Sequence, residues 1–171
     1  MQTSTVVLCA VAIVVCLGSI YLYAYFKDKK ALKEATPDSG QSASLPLKMQ
    51  AYERLVLLAD RIALPNLVSR SNQPGLSAKE MQALLTQTIR QEFDHNITQQ
   101  IYVSPEAWEA VRNLKEQNLL IINQVSSYLP ETATGMELNK SLMELLVENP
   151  KASLHLIVLD ALSFEAKKIM S

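Results

Sequence analysis

Apolar residues recur at three- and four-residue spacing through most of the chain after residue 46, which is the spacing of one helix face. No segment alternates apolar and polar residues at the period of a β-strand. The pattern predicts an all-α domain over residues 47–171, folded as an antiparallel bundle of four to five helices with short connections. The predicted helices cover residues 46–63, 77–100, 104–129, 136–148 and 151–170.

Two of these helices carry clear start signals. Ser77 is followed three residues later by Glu80, the pattern of a capping box, in which each side chain binds the other residue's free backbone N–H. Ser104 precedes Pro105, as an N-cap precedes a proline at the first helical position. The two signals predict helices that begin directly after residues 77 and 104.

Pro65 is expected to end the first helix, because the residue before a proline disfavours helical torsions. The residues that follow, 66–75, are polar and contain a proline and a glycine. They predict a loop in which Leu67 and Val68 turn inward.

The apolar stripes give the expected core. The stripe of the second helix consists of Met81, Leu85, Ile89, Phe93, Ile97 and Ile101. The stripe of the third helix consists of Trp108, Val111, Leu114, Ile121, Ile122, Val125 and Tyr128. Asn118 lies in the same stripe and is a candidate buried amide. The last helix is apolar over so wide an arc that it either lies at the centre of the bundle or keeps one face for a partner.

The N-terminal segment has a different pattern. The first charged residue is Lys27, and residues 6–26 are almost wholly apolar. About 20 apolar residues cross a hydrocarbon core about 30 Å thick, so residues 1–26 are predicted to form a transmembrane anchor. A cleaved signal peptide fits less well, because it needs a basic n-region and a small-residue cleavage site.

The end of the predicted anchor has the composition of a membrane interface, where aromatic and basic side chains collect. The interface residues are Tyr21, Tyr23, Tyr25, Lys27, Lys29 and Lys30. Because Lys and Arg favour the cytoplasmic flank, the N-terminus is expected outside and the domain in the cytoplasm. Residues 27–46 are predicted to be a basic juxtamembrane segment and a flexible linker.

Cys9 and Cys16, the two cysteines, both lie in the predicted anchor. The domain therefore has no thiolate metal ligand and no disulfide framework. Self-association through the anchor could bring each cysteine next to its twin in a second copy. Two small residues that face lipid are the alternative interpretation.

Charge and motifs exclude several functions. From residue 48 onward the chain has 12 basic and 14 acidic residues, which does not favour nucleic-acid binding. It has neither a nucleophile elbow nor a phosphate-binding loop. We therefore expect that the protein is not an enzyme and that it binds neither a cofactor nor a metal.

A ligand- or metal-binding bundle is the alternative, centred on Glu92, Asp94 and His95. A di-iron bundle would need Glu-x-x-His on two helices. The copy that ends at His95 is present, but Ala152 stands where the second glutamate would precede His155.

The second and third helices carry an unusual run of amides, which predicts a solvated polar face, a hydrogen-bonding surface or a buried amide network. The candidate interaction surface consists of Tyr102, Trp108, Asn118 and Gln124. The aromatic residues are the natural anchors of such a surface, because aromatics dominate binding energy at interfaces.

Three segments carry a resemblance: residues 50–55 (QAYERL), 88–96 (TIRQEFDHN) and 102–108 (YVSPEAW). With these segments the chain resembles an uncharacterised family of N-terminally anchored, helical membrane proteins from Bacteroidota-type bacteria. The resemblance implies a single-pass protein of the bacterial inner membrane and transfers no catalytic residue. Together with the pattern, it predicts a membrane-tethered cytoplasmic interaction or scaffold module whose partners are the lipid bilayer and either another protein or a second copy.

Overall fold

The computed structural model describes residues 39–148 and 154–170, with side chains from residue 44 onward. These residues form six α-helices and one 3-10 helix, without a β-strand among them. The α-helices are α1 (Ser39–Ile62), α2 (Leu64–Ser71), α3 (Ala78–His95), α4 (Pro105–Tyr128), α5 (Gly135–Glu148) and α6 (Leu154–Met170). The all-α prediction is confirmed, with the short helix α2 added to the five that the sequence predicts.

The prediction of a loop over residues 66–75 is wrong, because the helix α2 occupies most of that segment. Pro65 lies in the first turn of α2, where its missing N–H would have no helical partner in any case. The proline therefore ends one helix and starts the next. Leu67 and Val68 are buried as expected, and the turn at Gly75 follows, with a positive φ of 88°.

The other end of α1 also differs from the predicted boundary. The helix begins at Ser39, inside the segment that the sequence assigns to the linker, and it contains Pro46. Chain contacts divide between Ser44 and Leu45, close to the predicted start of the domain at residue 47.

Helix α3 ends at His95 rather than at residue 100, because Asn96 terminates it. The Asn96 side chain donates to the Glu92 carbonyl at 2.8 Å, and a side chain that binds backbone in this way competes with the helix. A 3-10 helix, Ile97–Ile101, follows. The predicted burial of Ile97 and Ile101 is therefore wrong, since their side chains are 45% and 72% exposed.

The core consists of buried apolar side chains from all six described α-helices. Its largest fully buried side chains are Tyr52, Leu55, Leu58, Ile62, Leu67, Met81, Leu85, Ile89, Leu114, Ile122, Leu138 and Leu142. Burial of one such side chain stabilises the fold by about 1.5–3 kcal/mol. Tyr128 was expected in this core, but it is the last residue of α4 and is 87% exposed.

The loops before α3 and α5 are joined by an antiparallel bridge. Ala78 N–H donates to the Ala133 carbonyl at 2.8 Å, and Gly135 N–H donates to the Leu76 carbonyl at 2.7 Å. Glycine is needed at residue 135, because a Cβ there would lie 2.9 Å from the Cβ of Met81. The bridge thus joins two helix–loop–helix pairs, α2–α3 and α4–α5, through their loops.

The two helices that start at this bridge, α3 and α5, each begin with a capping box. Ser77 Oγ accepts from Glu80 N–H at 3.3 Å, and the Glu80 carboxylate accepts from Ser77 N–H at 2.8 Å. Thr134 and Glu137 repeat the pattern at 3.3 and 2.7 Å. The backbone and hydroxyl hydrogen bonds from Ser77 and Thr134 lower the pKa of the Glu80 and Glu137 carboxyls.

The predicted anchor, residues 1–26, and its interface tyrosines and lysines lie outside the described residues. Within the described ranges, no helix combines the length and the hydropathy that a membrane span requires.

Candidate interaction surface

Three polar side chains from distant parts of the chain meet at one end of the bundle. Tyr52 comes from α1, Ser104 is the N-cap of α4, and Glu165 comes from α6. Tyr52 Oη donates to Glu165 Oε2 at 2.7 Å, and Ser104 Oγ donates to the same oxygen at 2.5 Å. Ser104 N–H in turn donates to Tyr52 Oη at 3.2 Å. The carboxylate thereby fastens the first and last helices to the start of α4.

Ser104 caps its helix at the same time, because its Oγ accepts from Ala107 N–H at 3.0 Å. Burial, and then the hydrogen bond to Glu165, raise the pKa of the Tyr52 hydroxyl. Tyr52 therefore stays protonated and acts as a donor. All three side chains are used to hold helices together.

A cleft of about 630 Å³ opens beside this cluster. Its apolar walls include Ile101, Tyr102 and Phe164, and two lysines, Lys48 and Lys168, also line it. Tyr102 and Phe164 are 39% and 69% exposed. Glu106 and Glu165 line the cleft as well, so its apolar walls have two basic and two acidic groups beside them.

A second groove, of about 490 Å³, lies between α1 and α6. Met49, Val56 and Leu57 line it from α1, and Ala166 and Met170 line it from α6. Leu57 and Met170 are mostly exposed.

Helix α6 is apolar on two sides. Val158 and Leu162 are buried against the other helices, whereas Leu156, Ile157 and Phe164 are 59–69% exposed. The sequence left open whether this helix belongs to the core or presents a face to a partner, and the described residues show both features in one helix. Exposed apolar residues that share a helix face are typical of an interaction site.

Of the residues predicted to form the interaction surface, Gln124 is exposed. The prediction that Asn118 belongs to this surface is wrong. Asn118 is only 3% exposed, and its Nδ2 donates to the Ile62 carbonyl at 2.7 Å. That carbonyl belongs to the last residue of α1, where helical carbonyls lack an intrahelical partner. Asn118 therefore caps α1 from inside the core, as the alternative prediction of a buried amide has it.

Trp108 lies at the edge of the core and is half-buried. Its ring packs on Phe93 with 5.0 Å between centroids and 38° between planes, and Lys115 Nζ lies 4.5 Å from the centre of the Phe93 ring. These contacts hold α3 against α4. Trp108 is therefore first a packing residue, and Tyr102 lies apart from it at the cleft.

One member of the run of amides, Asn123, belongs to a small hydrogen-bond network between α3 and α4. Gln82 Nε2 donates to Asn123 Oδ1 at 2.8 Å, and Ser126 Oγ donates to Gln82 Oε1 at 2.8 Å. This part of the run links two helices of the same domain.

The side chains of the alternative ligand- or metal-binding site, Glu92, Asp94 and His95, do not converge. Glu92 pairs with Arg61 at 2.6 Å and Arg70 at 3.5 Å, while Asp94 and His95 are exposed. In the part of the chain that the structure describes, no three His, Cys, Asp or Glu side chains converge to hold a metal ion.

Sequence reasoning missed the Tyr52–Ser104–Glu165 cluster and the capping box at Thr134. The second of these has a local signal, because Glu137 follows Thr134 by three residues before an apolar run. The cluster has no such signal, since its members lie 52 and 61 residues apart in sequence.

A comparison with models of known protein families finds a match. The match covers residues 1–169. The chain belongs to a family of unknown function (DUF7935). The predicted resemblance to an uncharacterised family is therefore confirmed, while the bacterial group and the membrane anchor remain predictions. No curated protein and no solved structure matches the chain.

Proposed function

We propose that this DUF7935 protein is a single-pass, non-enzymatic interaction module, which holds or assembles partner proteins at the cytoplasmic face of a bacterial inner membrane. Residues 1–26 would span the bilayer, and residues 47–171 would form the binding domain. The observation that carries the proposal is the two-sided apolarity of α6.

The exposed face of α6 is costly to leave in water. Each large apolar side chain that becomes fully buried in a contact contributes about 1.5–3 kcal/mol. Leu156 and Ile157 are adjacent and both about 60% exposed. We therefore assign the protein-binding surface to the first half of α6, around these two residues.

The anchor is supported by the sequence. Residues 6–26 are long enough to span, and the residues after them are aromatic and then basic. The non-enzymatic role is supported by the polar clusters of the domain, because their side chains are used in hydrogen bonds that hold helices to one another.

The anchor is tested by alkaline extraction of native membranes and by the side on which a C-terminal tag is accessible to protease. We expect the full-length protein to resist extraction and the tag to be protected in intact spheroplasts. Release by alkali would contradict the span, and cleavage of the tag in intact spheroplasts would contradict the orientation.

Partner binding is tested by affinity purification of the full-length protein from native membranes in mild detergent. We expect a partner in near-equal amount that is lost from an Ile157→Ser variant and retained by a Tyr128→Ser variant. Tyr128 is the control, because it is another large and mostly exposed side chain, on a different helix. A partner that both variants retain equally would contradict the assignment to α6.

A further inference from the structure

We propose that the groove between α1 and α6 is the contact surface of a homodimer, in which the same groove of a second copy packs against it. The apolar residues that line it come from both helices: Met49, Val56, Leu57, Ala166 and Met170. This surface, the dimer groove, follows the second half of α6. It is therefore separate from the surface around Leu156 and Ile157, and the inference goes beyond the proposed function.

Both helices leave a large apolar side chain exposed at the groove. Leu57 of α1 is 61% exposed, and Met170 of α6 is 59% exposed. Val56 and Ala166 are partly buried and pack against the core, so the floor of the groove belongs to the rigid part of the domain. Transfer of apolar surface from water into a contact is favourable. The occupant of the groove must therefore present apolar side chains of its own.

The charges that line the groove have opposite signs on its two helices. Glu53 of α1 and Lys167 of α6 are the charged members of the lining, and both residues are exposed. Neither forms an ion pair within the part of the chain that the structure describes. With one charge of each sign, the groove favours neither a strongly acidic nor a strongly basic partner. It fits a surface that carries the same two charges in exchanged places.

A second copy supplies those charges in exchanged places by symmetry, because contacts across a two-fold axis are reciprocal. When the axis runs along the groove, α1 of each copy faces α6 of the other, and Glu53 faces Lys167 at two equivalent contacts. The hydrogen bond between Tyr52 and Glu165 sets the two helices level with each other. Glu53 is one residue from Tyr52, and Lys167 is two residues from Glu165. Each charge therefore lies within about 3 Å of that level along its helix.

The anchor in the proposed function favours this arrangement. Two tethered copies share the plane of one membrane, which raises the effective concentration of each copy for the other. A two-fold axis along the membrane normal also leaves both anchors on the same side of the domains. A contact that is weak in solution is then enough to hold two copies together. The residues of the groove belong to the domain, so the groove and the anchor are tested separately.

Charge reversal in the full-length protein tests the dimer groove. The dissociation constant of the dimer is measured by analytical ultracentrifugation in mild detergent. Glu53→Lys brings two lysines together at both contacts, and Lys167→Glu brings two glutamates together there. We expect each variant to raise the dissociation constant by about tenfold, because two attractive pairs become repulsive.

A mixture of the two variants, one of them labelled, distinguishes a contact between copies from a contact within one copy. In a mixed dimer each contact again joins a lysine to a glutamate, so the dissociation constant should return to within about twofold of the wild-type value. A mixture that associates as weakly as either variant alone would overturn the proposal. A wild type that stays monomeric would also overturn it. Both results would leave the anchor and the α6 partner surface intact, since each has its own test.

Leucine substitutions test the apolar part of the contact. Leu57→Ser removes an exposed side chain from the groove and should raise the dissociation constant by about tenfold. Leu120→Ser, in α4, is the matched control, because Leu120 is 55% exposed and is not part of the groove lining. The control should change the dissociation constant by less than about twofold. Equal effects of the two substitutions, or a dimer that all the variants leave unchanged, would place the contact elsewhere and overturn the assignment.

Discussion

The helices of this domain are capped at their starts by the same chemistry in two different ways. At the bridge end, Ser77 and Thr134 each find their carboxylate three residues further along the same helix. At the other end, Ser104 finds it on Glu165, 61 residues away. A local cap stabilises one helix, whereas a cap completed by another helix joins separate parts of the fold. The second kind lies beside the cleft and the exposed face of α6.

The largest effect should come from removal of the shared carboxylate. Glu165→Ala leaves the Tyr52 hydroxyl, on a residue that is 2% exposed, without its acceptor. We expect a loss of about 3 kcal/mol in the free energy of unfolding, measured by urea titration with Trp108 fluorescence.

Glu165→Gln is the conservative control, because it keeps an acceptor oxygen, and it should lose about 1 kcal/mol. Glu144→Ala removes a carboxylate that is 59% exposed and 3.7 Å from Lys140, and it should change stability by less than about 0.5 kcal/mol. If Glu165→Ala behaves like Glu144→Ala, the cluster does not fasten the helices.

The bridge end should be most sensitive at Gly135. A Cβ there would lie 2.9 Å from Met81 Cβ and 3.2 Å from the Leu76 carbonyl. Gly135→Ala is expected to cost about 2 kcal/mol through overpacking, measured by the same titration.

Gly75→Ala provides the contrast, since its Cβ would meet nothing within 4 Å but its φ is positive. It should cost about 1 kcal/mol through backbone strain alone. An equal or larger loss at Gly75 would show that close approach at the bridge is unimportant.

A local cap should contribute less than the shared one. Thr134→Ala removes the hydroxyl that accepts from Glu137 N–H, and a loss of about 1 kcal/mol is expected. Thermal unfolding of Thr134→Ala and Thr134→Ser distinguishes the cap from side-chain packing, because serine restores the acceptor. Failure of serine to restore stability would rule out the capping role.

The smallest effects should be those of pH, and they should differ in direction. The pKa of Glu80 and Glu137 is lowered from a usual value near 4.5, so their stabilisation is present above that pH and is lost as pH falls below it. The pKa of Tyr52 is raised from a usual value near 10, so its stabilisation is present below pH 10 and is lost as pH rises above it.

Unfolding of the wild type and of Tyr52→Phe across this range tests the difference. Tyr52→Phe should flatten the alkaline decline and leave the acid decline unchanged. An unchanged alkaline decline would show that Tyr52 is not its source.

The contrast between the two ends also explains how much could be predicted. Periodicity and local caps gave the helices and the start of α3, because those signals lie within a few residues. The end of α3 before Asn96 and the start of α2 next to Pro65 were missed, because proline and asparagine can either end a helix or stand at the start of one. The cluster around Glu165 depends on tertiary contacts, so no local pattern predicts it.

The capping role of Asn118 could not be predicted either, because it also depends on a tertiary contact. Its position in the apolar stripe predicted burial correctly, but its use as a cap for α1 depends on a carbonyl 56 residues away. The exposed face of α6 was anticipated only as one of two interpretations, because a wide apolar arc does not itself show which side packs.

In the proposed function, the first half of α6 contacts another protein at the membrane. Site-specific photocrosslinking from residue 157 of the full-length protein, in native membranes, tests it most directly, with residue 128 as the matched position. We expect one discrete adduct from residue 157, with the same protein in each preparation, and none from residue 128. The absence of an adduct at residue 157, or the same adducts from both positions, would contradict it.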